Sequence, residues 1–117
     1  MSTRLIIKAF RIIDNREWHS LPSVFHAKVR YERPGYAPFI GINRLVDFYR
    51  FERIILSGTH FIEKVVTNGN YGACWGRFTG RTKKNVYVDV LFSEAYKFEK
   101  GKIKMRRTYF HHTNINI

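Results

Sequence analysis

Residues 86–110, VYVDVLFSEAYKFEKGKIKMRRTYF, decide the fold class. Two runs rich in Val, Ile, Phe and Tyr flank Glu99-Lys100-Gly101, a short turn with glycine at its end. That is the pattern of a long antiparallel hairpin. Lys and Arg hold most of its outward positions, as a water-facing strand surface should. Two acids break the pattern: Glu94 stands between Phe92 and Tyr96 on one side of the first strand, and Asp89 stands among valines. A carboxylate on an apolar strand face is either turned to water or held in a pocket for a purpose.

Back from this hairpin to Ser57-Gly58, the apolar residues keep a period of two. Residues 60–67 and 71–79 are predicted strands, joined by the tight turn Asn68-Gly69-Asn70, and residues 80–85 are a polar, basic turn. Upstream of Ser57 the period is different. Leu5, Ile6, Ala9, Ile12 and Ile13 make a helical stripe over residues 4–14. Trp18, Leu21 and Val24 recur at three-residue steps in a short second helix over residues 17–24. Residues 26–31 alternate as a strand, with Ala27, Val29 and Tyr31 on one side, and residues 33–38 form a loop with two of the three prolines. Gly41 then opens a third helix over residues 42–54, its apolar face Ile42, Leu45, Val46, Tyr49 and Ile54. Helices first and an antiparallel meander after predict an α+β fold, a curved sheet wrapped over three helices, as a single domain over residues 1–117.

Composition bounds the function. The 117 residues carry 21 Lys+Arg against 9 Asp+Glu, a formal charge of +12. The basic residues are spread along the chain, densest at Lys83-Lys84 and Arg106-Arg107, and no sequence pattern of a nucleic-acid module is present. The charge therefore reads as a solvated basic surface rather than a nucleic-acid interface; nucleic-acid binding would require an affinity that falls steeply with salt. Cys74 is the only cysteine, which excludes an intrachain disulfide and a cysteine-based metal site and suits a reduced, cytoplasmic compartment. Residues 1–10 lack the long apolar core of a signal peptide, and no stretch approaches the roughly 20 apolar residues of a membrane span. His19 and His26 have no partner at ligand spacing, and the adjacent His111 and His112 would point to opposite faces of a strand, so no metal site is expected.

Several pieces together resemble the NTF2-like superfamily. They are Trp18 to Phe25 followed by a strand, Tyr31-Glu32-Arg33-Pro34-Gly35, and Gly41 with a helix ending in Phe48-Tyr49. The closing Phe92-x-Glu94-x-Tyr96-x-Phe98-x-x-Gly101-Lys102-Ile103, followed by Tyr109-Phe110, is similar to the SnoaL-like and ketosteroid-isomerase-like branch. The resemblance implies a conical half-barrel with a deep pocket between sheet and helices, usually a homodimer through the outer sheet face, with a small-molecule ligand and no cofactor. In the ketosteroid-isomerase pattern the general-base aspartate falls on Arg33 here, and the oxyanion-hole tyrosine of the first helix falls on about Ala9. Only the second oxyanion-hole acid is kept, as Glu94. Ordinary steroid isomerisation is therefore not expected.

The resemblance also names candidate site residues. SnoaL-like cyclases use an aspartate on this part of the sheet, which points to Asp89, and pair a histidine with it, which points to His60. If Glu94 faces inward, alternation brings Phe92 and Tyr96 beside it, and the facing strand supplies Arg106, Thr108 and Phe110; the opposite phase would supply Arg107 and Tyr109. Arg106 would hold the acid ionised. Tyr31, Arg33 and Phe48 would line the pocket, with Arg33 a cationic lip for a carboxylate, enolate or phosphate. Cys74, between glycines and aromatics with no adjacent histidine, reads as a buried small hydrophobe.

Two readings stay open. One is a cofactor-independent isomerase, cyclase or dehydratase moving protons on a hydrophobic, partly anionic, polyketide- or terpenoid-like metabolite, with Glu94, Asp89 and His60 as acid/base candidates. It expects Glu94→Gln or Asp89→Asn to stop turnover and leave the fold intact. The other is a non-catalytic ligand-binding or assembly module of the same fold, whose ligand could be captured by native purification.

Overall fold

The structure, a computed structural model, describes residues 2–111; His112 of the histidine pair lies outside them. Helix α1, Ser2–Asp14, buries Ile6, Ala9, Phe10, Ile12 and Ile13, so the predicted stripe gains Phe10 and leaves Leu5 at its margin. A 3₁₀ helix, Trp18–Ser23, then drops Leu21 and Val24 into the core. Strand β1 is Phe25–Glu32 and β2 is the short Phe39–Ile40, the latter not predicted. Helix α2, Ile42–Asp47, continues as a single π-helical turn, Phe48–Glu52. The helix ends at Glu52, short of Ile54, and Arg53 has extended backbone (φ −62°, ψ 130°). Ile54 is consequently turned outward, while Phe48 takes the buried place beside Tyr49.

Four long strands follow: β3 Ile55–Asn68, β4 Tyr71–Thr82, β5 Tyr87–Glu99 and β6 Lys102–Phe110. The six-stranded sheet has the order β2-β1-β6-β5-β4-β3, with two open edges. All pairings are antiparallel except β1 with β6, which is parallel. The expected break at Ser57-Gly58 and the expected turn at residues 80–82 are both strand. Gly58 pairs with Gly80, and a side chain at Gly58 would meet the Phe78 ring at 2.2 Å, so glycine here lets an aromatic ring lie over the ladder rather than ending it. Register shifts in β3 between Ile55 and Ser57 and between Ile62 and Lys64 mark bulges, which bend a strand and raise its twist. The sheet curves around α1, which packs on β3, and its concave face carries the core. No helix among the described residues is long and apolar enough to cross a membrane.

Alternation settles which side chains face inward. In β5 the buried positions are Val88, Val90, Phe92, Glu94, Tyr96 and Phe98. Opposite them on β6, Thr108 pairs with Glu94 and Arg106 with Tyr96, while Arg107 and Tyr109 face out. Asp89 is on the convex side.

Candidate functional site

Glu94 sits deepest. Its Oε1 accepts from Arg106 Nε at 2.8 Å and from the Tyr96 hydroxyl, and its Oε2 accepts from Arg106 Nη2 at 2.7 Å and Thr108 Oγ1 at 2.5 Å. Both partners of the ion pair are almost wholly buried, with side chains 3% and 1% exposed. Burial disfavours the carboxylate, but the charge of Arg106 and the hydrogen bonds from Arg106, Thr108 and Tyr96 outweigh it and hold the Glu94 pKa below its ordinary value. Arg106 also donates to Tyr49 Oη at 2.7 Å, and its guanidinium lies 4.6 Å from the Tyr31 ring centre. Every strong hydrogen-bonding position of Glu94 is occupied from within the protein. Such a carboxylate is an anchor for the sheet interior rather than a group free to take a proton.

A second acidic group enters from α1. Asp14, the last residue of that helix, receives the backbone N–H of His60 at Oδ2 (2.8 Å) and contacts His60 Nδ1 through Oδ1 (2.6 Å). A carboxylate only accepts, so Nδ1 carries the proton and Nε2 keeps its lone pair. Burial against Phe10, Phe78 and Phe92 disfavours the imidazolium more than Asp14 favours it, and the His60 pKa falls below 6.5. Nε2 makes no hydrogen bond among the described residues.

His60 and Glu94 both line a cavity of about 20 Å³ together with Tyr31, Arg33, Tyr49, Arg53, Phe78, Phe92, Arg106, Thr108 and Phe110. That space holds about one water. The deep pocket expected from the resemblance is narrowed to this cavity by aromatic rings and guanidinium groups. Tyr31 donates to Thr108 Oγ1 at 2.9 Å, whose own proton goes to Glu94, and accepts from Arg33 Nη1 at 3.2 Å, which joins the loop after β1 to the Glu94 network. Phe48 packs on Phe39 and beneath Arg33.

Of the predicted residues, Glu94, His60, Arg33, Tyr31, Phe92, Arg106, Thr108 and Phe110 line this cavity; Tyr96 reaches it through Glu94, and Phe48 supports it from behind. Asp89 does not belong to it. It lies on the outer sheet face, 40% exposed, and pairs with Arg77 at 2.5 Å. Its place in the apolar run reflects strand alternation, in which the flanking Val88 and Val90 point the other way. The partner of His60 is therefore Asp14. Glu94→Gln is expected to cost stability, since that carboxylate neutralises a buried arginine.

Asp14, Tyr49 and Arg53 were not expected in the site. Asp14 reads as a helix terminator in the sequence, and its reach to His60 depends on α1 crossing β3. Arg53 did leave a signal: it stands four residues after Tyr49 and eight after Leu45, in phase with the apolar stripe of the helix predicted over residues 42–54, where a basic residue is out of place.

The family model of the SnoaL-like domain matches residues 6–105. Among solved structures, the chain is similar to a candidate SnoaL-like polyketide cyclase from Jannaschia sp. CCS1 (13% identity, TM-score 0.81, covering 93% of this chain and 84% of that one). It is similar also to an LEH-like epoxide hydrolase from M. tuberculosis (15% identity, TM-score 0.80, 92% and 80% covered). A third is a hypothetical protein of ketosteroid isomerase-like fold from Catenulispora acidiphila DSM 44928, in complex with trimethylamine (15% identity, TM-score 0.80, 90% and 83% covered). At these identities the structures show the shared fold alone. A sequence search of curated proteins gives no significant match. With its curved, unclosed six-stranded sheet and the match over residues 6–105, the chain belongs to the SnoaL-like domain family, on the NTF2-like fold.

Proposed function

We propose that this protein is a cofactor-independent acid–base enzyme, of the isomerase, cyclase or dehydratase type, acting on a small, partly anionic metabolite. One observation carries the reading. His60 is held by Asp14 in the tautomer that leaves Nε2 as a proton acceptor, on the wall of a buried cavity that also holds cationic side chains. A neutral imidazole oriented by a carboxylate is a competent general base near neutral pH. Positive groups beside it would stabilise the enolate or oxyanion formed as the proton leaves. Similar structures described as a candidate SnoaL-like polyketide cyclase and an LEH-like epoxide hydrolase support an enzymatic reading of this fold. Pockets for drug-sized ligands run from about 300 Å³, so a polyketide- or terpenoid-like substrate could present only its reacting end to a cavity of about 20 Å³.

Deuterium exchange tests the proposal without knowledge of the product. Acetoacetate, a carboxylate with an acidic C–H, is incubated in D₂O and its C–H signals followed by NMR. Wild type is expected to accelerate exchange and His60→Gln to lose the acceleration. Exchange no faster than in protein-free buffer, or undiminished in His60→Gln, would refute it.

The nearly filled interior favours one alternative, a non-catalytic binding module of the same fold. That reading predicts a ligand retained through native purification, identified by mass spectrometry, and recovered unchanged after incubation. In either case the second copy expected from the resemblance would dock on the outer sheet face, where Phe61, Trp75, Leu91 and Tyr109 are exposed. Light scattering should then give twice the chain mass for wild type and a monomer for Leu91→Asp. The lone thiol, Cys74, suits a cytoplasmic location.

A further inference from the structure

We propose that the interior between Arg33 and Arg53 binds the carboxylate of a short organic anion, which supplies the acceptor that the Nε of each guanidinium lacks. The charges inside the fold do not balance. Glu94 is committed to Arg106, and Asp14 to a histidine whose burial keeps it neutral. Arg33 and Arg53 remain, each only 8% exposed, and among the described residues neither is ion-paired. The Nε of each is buried without an acceptor.

What surrounds them accounts for part of their stability and leaves a specific gap. Arg33 lies between the rings of Tyr31, Tyr36, Phe48 and Phe110, with ring centres 5.0–5.8 Å from its central carbon. Arg53 lies over Tyr49 and Phe78 at 5.4 and 5.6 Å. Aromatic faces attract a guanidinium, yet they offer nothing strong along its N–H edge. A buried cation with an unmet donor is unfavourable, and two facing one cavity are more so. Burial, with the charge of Arg33 adding to it, brings the Arg53 pKa down from 12.5 to about 10. An anion between the two would reverse that effect.

Shape selects a carboxylate. Two guanidinium edges match the two oxygens of a planar carboxylate in paired, charge-assisted hydrogen bonds. The cavity of about 20 Å³ holds about one water, so a carboxylate enters only as that water leaves and the surrounding side chains give way. Phe78, Phe92 and Phe110 give the carbon next to the carboxylate an apolar surface, and the polar part of the wall is Tyr31, Tyr49, His60, Thr108 and the Glu94–Arg106 pair, whose charges cancel. His60 is on the same cavity, which makes the anion a substrate only if the proton-transfer reading above holds; binding itself stands on the arginines.

The test titrates formate, acetate and butyrate, with chloride as comparison, at constant ionic strength into the full chain. Binding is followed by the arginine Nε–H resonances in NMR and by the melting temperature. Wild type should show saturable acetate binding that moves the Arg33 and Arg53 resonances. Arg33→Met and Arg53→Met should each weaken it about tenfold or more, and exposed Arg50→Met should not. Because Arg→Met removes an uncompensated buried charge, both variants should remain folded by circular dichroism. The wild-type resonances decide the matter even if they do not. No saturable binding of any carboxylate, equal binding by the Arg→Met variants, or chloride preferred to acetate would overturn the proposal. His60→Gln separates the two readings. It should keep acetate binding while losing C–H exchange, and acetate binding without exchange in wild type would leave this site standing and remove the catalytic one.

Discussion

Replacing Glu94 by Gln removes the only charge among the described residues that neutralises Arg106 and keeps the side chain's shape nearly unchanged. The carboxylate accepts four hydrogen bonds, two from Arg106 and one each from Tyr96 and Thr108. Gln offers one acceptor oxygen, and its amide N–H₂ would point at groups that themselves donate. Two of the four bonds are lost, each worth about 1.5–3 kcal/mol when charged, and Arg106 is left buried and unpaired. Breaking a buried pair in this way typically costs about 3–5 kcal/mol. For a chain of 117 residues, about 4 °C per kcal/mol converts this to a fall in Tm of roughly 12–20 °C. Urea titration followed by circular dichroism reads the same loss at constant temperature. The double variant Glu94→Leu with Arg106→Met removes both charges and should recover most of the stability, since an apolar replacement of a buried pair is often neutral. A loss below about 1 kcal/mol in Glu94→Gln would refute the reasoning, because it would mean that the pair is as weak as one on the surface.

Asp89→Asn should change stability by less than about 1 kcal/mol and leave any C–H exchange unaltered, because its pair with Arg77 is on the solvent side of the sheet; urea titration and the D₂O assay check both. Folded-state His60 has a pKa below its ordinary 6.5, so the unfolded chain binds the proton first. Stability from this residue is complete above pH 6.5 and declines as pH falls below it, and His60→Gln should flatten that part of a stability–pH profile. Burial raises the Cys74 thiol to about 12, so a thiol reagent at neutral pH should label it only at the rate of unfolding; rapid labelling of native protein would contradict its burial.

The parts legible in sequence are those where one side of an element repeats. The residue 86–110 hairpin, the α1 stripe and the inward phase of Glu94 with Phe92 and Tyr96 follow from a period of two or 3.6. Asp89 misled because a residue between two valines reads as belonging to an apolar run, when on a strand it must face opposite to both. Ser57-Gly58 misled because glycine in a strand can serve an aromatic ring on the neighbouring strand, a contact that no local pattern encodes. The parallel pairing of β1 with β6 joins residues about eighty positions apart, as Phe25 with Ile103, and it is this pairing that brings Tyr31 to Thr108. Asp14–His60 has the same cause: helix α1 crosses β3, so the dyad depends on tertiary packing. The small cavity is the largest departure from expectation, since a family resemblance carries the shell of a pocket but not the volume of the side chains within it.

One measurement bears most directly on the claim that His60, rather than Glu94, is the group prepared to take a proton. The imidazole nitrogens of His60 are followed by ¹⁵N NMR as a function of pH, with His60→Gln used for assignment. A proton on Nδ1, an unprotonated Nε2 and a titration midpoint below 6.5 are the predicted result. A proton on Nε2, or a midpoint above 6.5, would contradict the account.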